Sequence, residues 1–130
     1  MSHADAIVAR ARALIGVRSR AHGRAADGVD CVGLVAAALG VEAPRDYALR
    51  GGCQRELGAA LREAGLVPVD EACSGDVLVM RAGPGQLHLG ISTGDGLIHA
   101  DGGLRRVVER PGTLPWPVVG VWRPFRDMGS

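Results

Sequence analysis

Three short stretches carry the residue types that can do covalent chemistry in this chain: Asp30-Cys31-Val32-Gly33-Leu34, then far downstream His88-Leu89-Gly90-Ile91 and Ile98-His99-Ala100. A cysteine at the mouth of a helix, with two histidines on paired strands, is how a thiol is made into a nucleophile. The sulfur attacks, one imidazole moves the proton, and a second group orients that imidazole. If Asp30 caps the helix, Cys31 sits in its first turn, where unpaired backbone N–H groups and the positive dipole end favour a thiolate. The placement predicts a sulfur pKa drawn below its usual ~8.5, and a thiolate at neutral pH.

The two histidines belong to neighbouring strands joined by Thr93-Gly94-Asp95-Gly96. This segment reads as a tight hairpin turn in which Gly94 supplies the positive φ. With Gly94-Asp95 as the two-residue loop, Thr93 faces Gly96 and His99 falls opposite Gly90. Side chains alternate along a strand, so His88, Gly90 and His99 share one face. The two rings are then diagonal neighbours, about 7 Å apart between Cα atoms, with Gly90 leaving the space between them empty. A turn at Asp95-Gly96 instead keeps both rings on that face but sets them farther apart. Singly, Cys31 reads as a buried structural cysteine and each histidine as a satisfied structural residue; jointly they read as nucleophile, base and orienter.

The elements that must position these groups follow from the pattern. Ala4 to Ile15 places Ile7, Ala11, Leu14 and Ile15 at helical spacing, and Gly16 stops the helix. Val17 to Val29 reads as loop. Cys31 to Leu39, closed by Gly40, is too apolar for a surface helix and should be buried. A linker, Glu42 to Gly52, carries Tyr47. A third helix from Gln54 to Ala64 turns Leu57, Leu61 and Ala64 inward and ends at Gly65. After Gly75 the period changes, and five strands are expected: Asp76 to Arg81, Leu87 to Thr93, Gly96 to Ala100, Leu104 to Glu109 and Val118 to Arg123. Helices first and antiparallel strands afterwards make an α+β architecture.

Composition bounds the rest. A chain of 130 residues should form one domain, residues 1–130, with a core built from Ala, Val, Leu and Ile because aromatics are only 3%. All 15 basic residues are Arg, and the absence of Lys excludes a Schiff-base enzyme and a Walker-type phosphate loop. A net charge of +1 gives no global field for nucleic acid or an anionic membrane. Arg10, Arg12, Arg18, Arg20 and Arg24 read as a solvated helix face and loop, with an anion site as the alternative. Asp5, Arg10 and Arg12 interrupt any apolar leader, and no segment approaches the ~20 apolar residues of a membrane span. Expectation places synthesis in the cytoplasm. Cys31, Cys53 and Cys73 are an odd set without zinc-finger spacing, so at least one thiol should stay free.

Asp-Cys-x-Gly-Leu at a helix start, Gly75-Asp76-Val77-Leu78 opening the strands, then His-Leu-Gly-Ile and Leu-Ile-His-Ala, together resemble the NlpC-type (NlpC/p-sixty) cell-wall cysteine peptidases. The resemblance spans residues 5 to 125. It implies a papain-like core of helices packed on a small antiparallel sheet, and cleavage of peptide bonds in bacterial peptidoglycan stem peptides. It further implies Cys31 as nucleophile, His88 as general base and acid, His99 as the residue orienting His88, and no metal or cofactor. Asp30 is both the helix cap and a carboxylate able to face a substrate ammonium group.

Two positions depart from that pattern. Many members carry a tyrosine after the first helix that lines the site, and Ser19 stands there instead; the residue after the nucleophile is commonly Ser and is Val32. Ser19, His22 or a backbone N–H would then serve the substrate in its place. The compact form most resembles the peptidases of phage tails and gene transfer agents. That implies tail proteins as partners and a virion- or tail-associated enzyme acting on the wall. Two other readings use the same residues: an inactive structural or binding component of a tail with the same fold, and a zinc site of Cys31, His88 and His99.

Overall fold

The computed structural model describes residues 2–19, 24–25, 28–42 and 54–127. His22, Tyr47, Cys53 and most of the expected linker lie outside the described residues.

Helix α1, His3–Arg12, is launched by a reciprocal cap: Ser2 Oγ accepts from Asp5 N–H at 3.1 Å, and Asp5 Oδ2 accepts from Ser2 N–H at 3.3 Å. It buries Ile7, Val8 and Ala11. The helix closes at Arg12 rather than Ile15; residues 13–16 are turn, and Gly16 takes φ +90°. Two short strands, β1 (Arg24–Ala25) and β2 (Gly28–Val29), pair with each other ahead of helix α2, Cys31–Leu39. As its composition requires, every residue of α2 but Ala37 is buried. Gly40 ends it in the left-handed region, φ +75°. Arg10 Nε donates to Ala38 O at 2.7 Å, so α1 satisfies a carbonyl that the end of α2 leaves open. Helix α3, Gln54–Glu63, buries Leu57 and Leu61, while Ala64, expected inward, is exposed.

Among the described residues the sheet has six strands, not five: β3 (Leu66–Pro68), β4 (Val77–Gly83), β5 (Gln86–Ser92), β6 (Gly96–Asp101), β7 (Arg106–Pro111) and β8 (Val118–Pro124), in the antiparallel order β3-β8-β4-β5-β6-β7. The unexpected strand is β3. It is three residues long, buries only Leu66 and ends on a proline, so its alternation is too short to show; proline is tolerated because the strand lies at an edge. The strand expected to start at Leu104 starts at Arg106, because residues 102–105 form the turn.

Alternation divides the sheet. Val77, Val79, Leu87, Leu89, Ile91, Ile98 and Val107 pack against the helices, while Leu78, Met80, Leu97 and Val121 pack under Val69, Leu114 and Trp116. The Gly75-Asp76 step joins the layers. A Cβ at Gly75 would lie 2.9 Å from the Ala4 backbone, so glycine permits α1 to dock there. Asp76, 1% exposed, takes a two-pronged ion pair from Arg123 on β8 at 2.8 Å per contact, and its Oδ2 also accepts the Cys73 N–H. Among the described residues no helix is long and apolar enough to cross a membrane.

Candidate active site

Asp30 is extended (φ −98°, ψ −176°), and its Oδ1 accepts the Gly33 N–H at 2.7 Å, which makes Cys31 the first helical residue. The β5–β6 ladder holds at Ile91–Ile98 and Ser92–Leu97 and goes no further. Continued at the same alternation, it would next bond Leu89 to Ala100. At that break the backbone of Leu89 favours charge on the Cys31 sulfur, as do those of Val32 and of Cys31 itself.

The thiolate expected at neutral pH is not the resting state. Cys31 is 6% exposed within the apolar core, and this burial pushes its pKa up to about 12. The three N–H groups pull the other way without prevailing, and the Asp30 carboxylate adds to the rise. The residue that caps the helix therefore opposes charge on the sulfur.

The hairpin register is the one the Gly94-Asp95 loop requires: Ile91 faces Ile98, Ser92 faces Leu97, Thr93 N–H donates to Gly96 O, and Gly94 has φ +97°. His88 and His99 consequently meet, with Nε2 of His88 3.0 Å from Nδ1 of His99 and the rings nearly perpendicular at 89°. The space at Gly90 is not empty as expected. A Cβ there would collide with Leu97 Cδ1 and stand 2.9 Å from Ile98 O and 3.3 Å from His99 Cβ, so glycine is what lets β6 approach.

Burial, with the neighbouring His99 adding to it and Asp101 opposing, lowers the His88 pKa to about 4. His99 is fully buried, and burial lowers its pKa also, against the pull of Asp101 and with a further lowering from Arg110. Both rings rest neutral at pH 7. Only one arrangement of their hydrogens suits the surroundings. Asp101, held ionised by the Leu104 N–H at 2.8 Å, places Oδ2 3.8 Å from the otherwise unpartnered Nε2 of His99. A lone pair on that nitrogen would face a carboxylate, so it carries the hydrogen. His99 Nδ1 is then an acceptor, His88 Nε2–H its donor, and His88 Nδ1 a free base. Cys31 and His88 share no hydrogen bond among the described residues.

Asp101 and Trp116 are the residues that the motifs did not single out. Asp101 was within reach of the alternation rule, two residues beyond His99 and on its face. Trp116 was not. It lies between Pro115 and Pro117 in an irregular segment, and tertiary folding sets its ring edge-on to both imidazoles, with centroids 5.0 Å from His88 and 5.5 Å from His99. It walls the pair against solvent.

Ser19 is joined through its N–H to Arg105 O at 2.8 Å, and its hydroxyl makes no bond to Cys31, His88 or His99 among the described residues. Of the N-terminal arginines, Arg10 braces α2 and Arg12 makes a two-pronged pair with Glu109 at 3.0 and 3.1 Å. Cys31, His88 and His99 do not converge as a zinc site: among the described residues no three His, Cys, Asp or Glu side chains are placed to hold a metal ion. Cys73 is free and exposed. A small apolar cavity of about 50 Å³ between α2, α3 and β3 carries no catalytic group.

No curated protein matches the chain. Solved structures do. NlpC1 from Trichomonas vaginalis matches at TM-score 0.69 and 19% identity over 92% of this chain and 44% of its own. The peptidoglycan hydrolase RipB from Mycobacterium tuberculosis matches at 0.64 and 25%, over 93% and 64%. RipD from the same organism, described as a non-catalytic domain adapted to peptidoglycan binding, matches at 0.60 and 18%, over 94% and 96%. The chain spans less than two thirds of the first two structures' own length; identities of 18 and 19% speak to the fold alone. Residues 16–116, a span holding Cys31, His88 and His99, match the NlpC/P60 family as a sequence, and the α+β, papain-like fold agrees: the chain belongs to the NlpC/P60 family.

Proposed function

We propose that the protein is a cysteine peptidase that hydrolyses peptide bonds of bacterial peptidoglycan stem peptides through a thioester acyl-enzyme. The supporting observation is the 3.0 Å bond between His88 Nε2 and His99 Nδ1, with Asp101 behind it, because it leaves His88 Nδ1 as a base. His88 Nδ1 takes the Cys31 proton as the sulfur attacks the scissile carbonyl, and returns it to the departing amine nitrogen. The same nitrogen then deprotonates water for attack on the thioester, and the proton goes back to the sulfur. The Cys31 N–H, at the helix start beside its own sulfur, is the donor assigned to the oxyanion. His99, Asp101 and Trp116 act through His88 as positioning residues. Asp30 and Ser19 are assigned to substrate contact on the sequence resemblance.

A non-catalytic wall-binding or structural role is the second reading. It is favoured by the same thiol, nearly buried and protonated far above neutrality. Digestion of purified peptidoglycan, with fragments identified by mass spectrometry, separates the two. New stem-peptide termini made by wild type and not by Cys31→Ala support the enzyme; undigested wall that nevertheless retains the protein supports the binding module. Delivery by a phage-like or gene-transfer-agent tail, hence a virion- or tail-associated location, is proposed on the motif resemblance. A gene among tail-protein neighbours supports it, and a paired immunity gene opposes it.

A further inference from the structure

Beyond β7 the chain adds one more extended segment. Gly16 N–H donates to Val107 O and Val107 N–H to Val17 O, both at 2.9 Å, and Ser19 N–H donates to Arg105 O at 2.8 Å. This register sets Arg18 directly opposite Arg106. Like charges facing each other across a bridge are destabilising. The next residue is unfavourable as well: Arg105 is the one described non-glycine residue with positive φ, +58°. Among the described residues no carboxylate lies within ion-pair distance of Arg18, Arg105 or Arg106. Asp101, opposite Arg106 in the β6–β7 ladder, is engaged by the Leu104 N–H and faces His99.

All three arginines line one cleft of about 470 Å³ with Gly16 and Leu104. Leu104 is 64% exposed at its mouth. Opposed charge and backbone strain at one concave site, with no ion pair to its arginines among the described residues, mark a place where a fold gives up stability for binding. We propose that this cleft is a carboxylate subsite, in which Arg18 and Arg106 clasp a free carboxylate of the substrate peptide while Leu104 covers its aliphatic part. The assignment rests on the stem-peptide reading above and deepens it. Arg106 shares a sheet face with Asp101 and His99, so a peptide anchored there runs toward the histidine pair. A guanidinium pair suits a planar carboxylate, whereas an amide offers it only a neutral carbonyl oxygen.

The test uses Cys31→Ala, which cannot turn substrate over, and a synthetic stem tripeptide in free-acid and fully amidated forms. Binding is followed through arginine Nε–H NMR signals. The acid form is expected to bind about tenfold more tightly than the amide, shifting the signals of Arg18 and Arg106. Adding Arg18→Gln and Arg106→Gln should abolish the preference without lowering the melting temperature, since a repulsive pair has been removed. Equal affinity for acid and amide, no binding of either, or a preference that survives the double substitution overturns the subsite. Wall digestion by wild type is scored separately. Retained acid preference without digestion sinks the peptidase and spares the subsite, whereas digestion indifferent to both arginines does the reverse.

Discussion

Asp101 Oδ2 stands 3.8 Å from the buried Nε2 of His99, and this relationship favours His88 Nδ1 as the ring nitrogen that keeps its lone pair. The carboxylate is too far for a hydrogen bond yet close enough to disfavour a lone pair on the nitrogen that faces it.

Replacing Asp101 by Asn removes that bias and leaves the fold intact. The expected result is a fall in kcat of about tenfold, or about 1.4 kcal/mol, with KM unchanged. Nitrogen NMR of the imidazoles should show His88 protonated at Nε2 in wild type and mixed in the variant. An unmixed His88 signal in Asp101→Asn would show that the carboxylate does not set the tautomer.

The Cys31 thiol, pushed up to about 12, should alkylate slowly at neutral pH. Its iodoacetamide rate should keep climbing with pH past the ~8.5 of an ordinary thiol. A peptide electrophile bound as substrate should react far faster, because it brings sulfur and imidazole together. Rapid labelling that is constant down to pH 6 would mean a resting ion pair and contradict the burial argument.

Acid should destabilise the fold in a defined window. The His88 pKa is lowered from 6.5 to about 4 in the folded state, so below pH 6.5 the unfolded chain takes up the proton first. The stability that the neutral ring contributes is complete above pH 6.5. It declines as pH falls to about 4 by up to roughly 3 kcal/mol. His99, also lowered, acts with the same sign, Asp101 against it and Arg110 with it. Melting temperatures of wild type and His88→Gln should converge as pH drops from 7 to 4; parallel curves would refute the linkage. Cys31 gives the mirror image, since its raised pKa lowers stability as pH climbs from 9.0 toward about 12.

Gly90→Ala tests the close approach of β6. The added methyl has nowhere to go between Leu97, Ile98 O and His99, so a loss of about 1–3 kcal/mol is expected. Displacement of His99 should depress kcat even at temperatures where the variant is fully folded. A variant with wild-type turnover would show that the histidine pair tolerates the shift.

Local chemistry made much of this protein legible. Asp30 before an apolar run dictated a capped, buried helix beginning at Cys31, and Gly94 dictated the turn whose register puts both histidines on one face. Periodicity and punctuation act within a few residues, so these survived folding unchanged. The short edge strand Leu66–Pro68 escaped because three residues show no period.

The chain alone therefore determined which groups share a strand face, where the helix starts, and the family motifs that carry Cys31, His88 and His99. Only tertiary structure decided their electrostatic state and their company: the apolar burial that protonates Cys31, Trp116 against both rings, and Arg18 opposed to Arg106. The physical reason is range. Turns and caps are set by neighbours in sequence, whereas desolvation and cross-strand charge depend on segments that meet only once the sheet has formed.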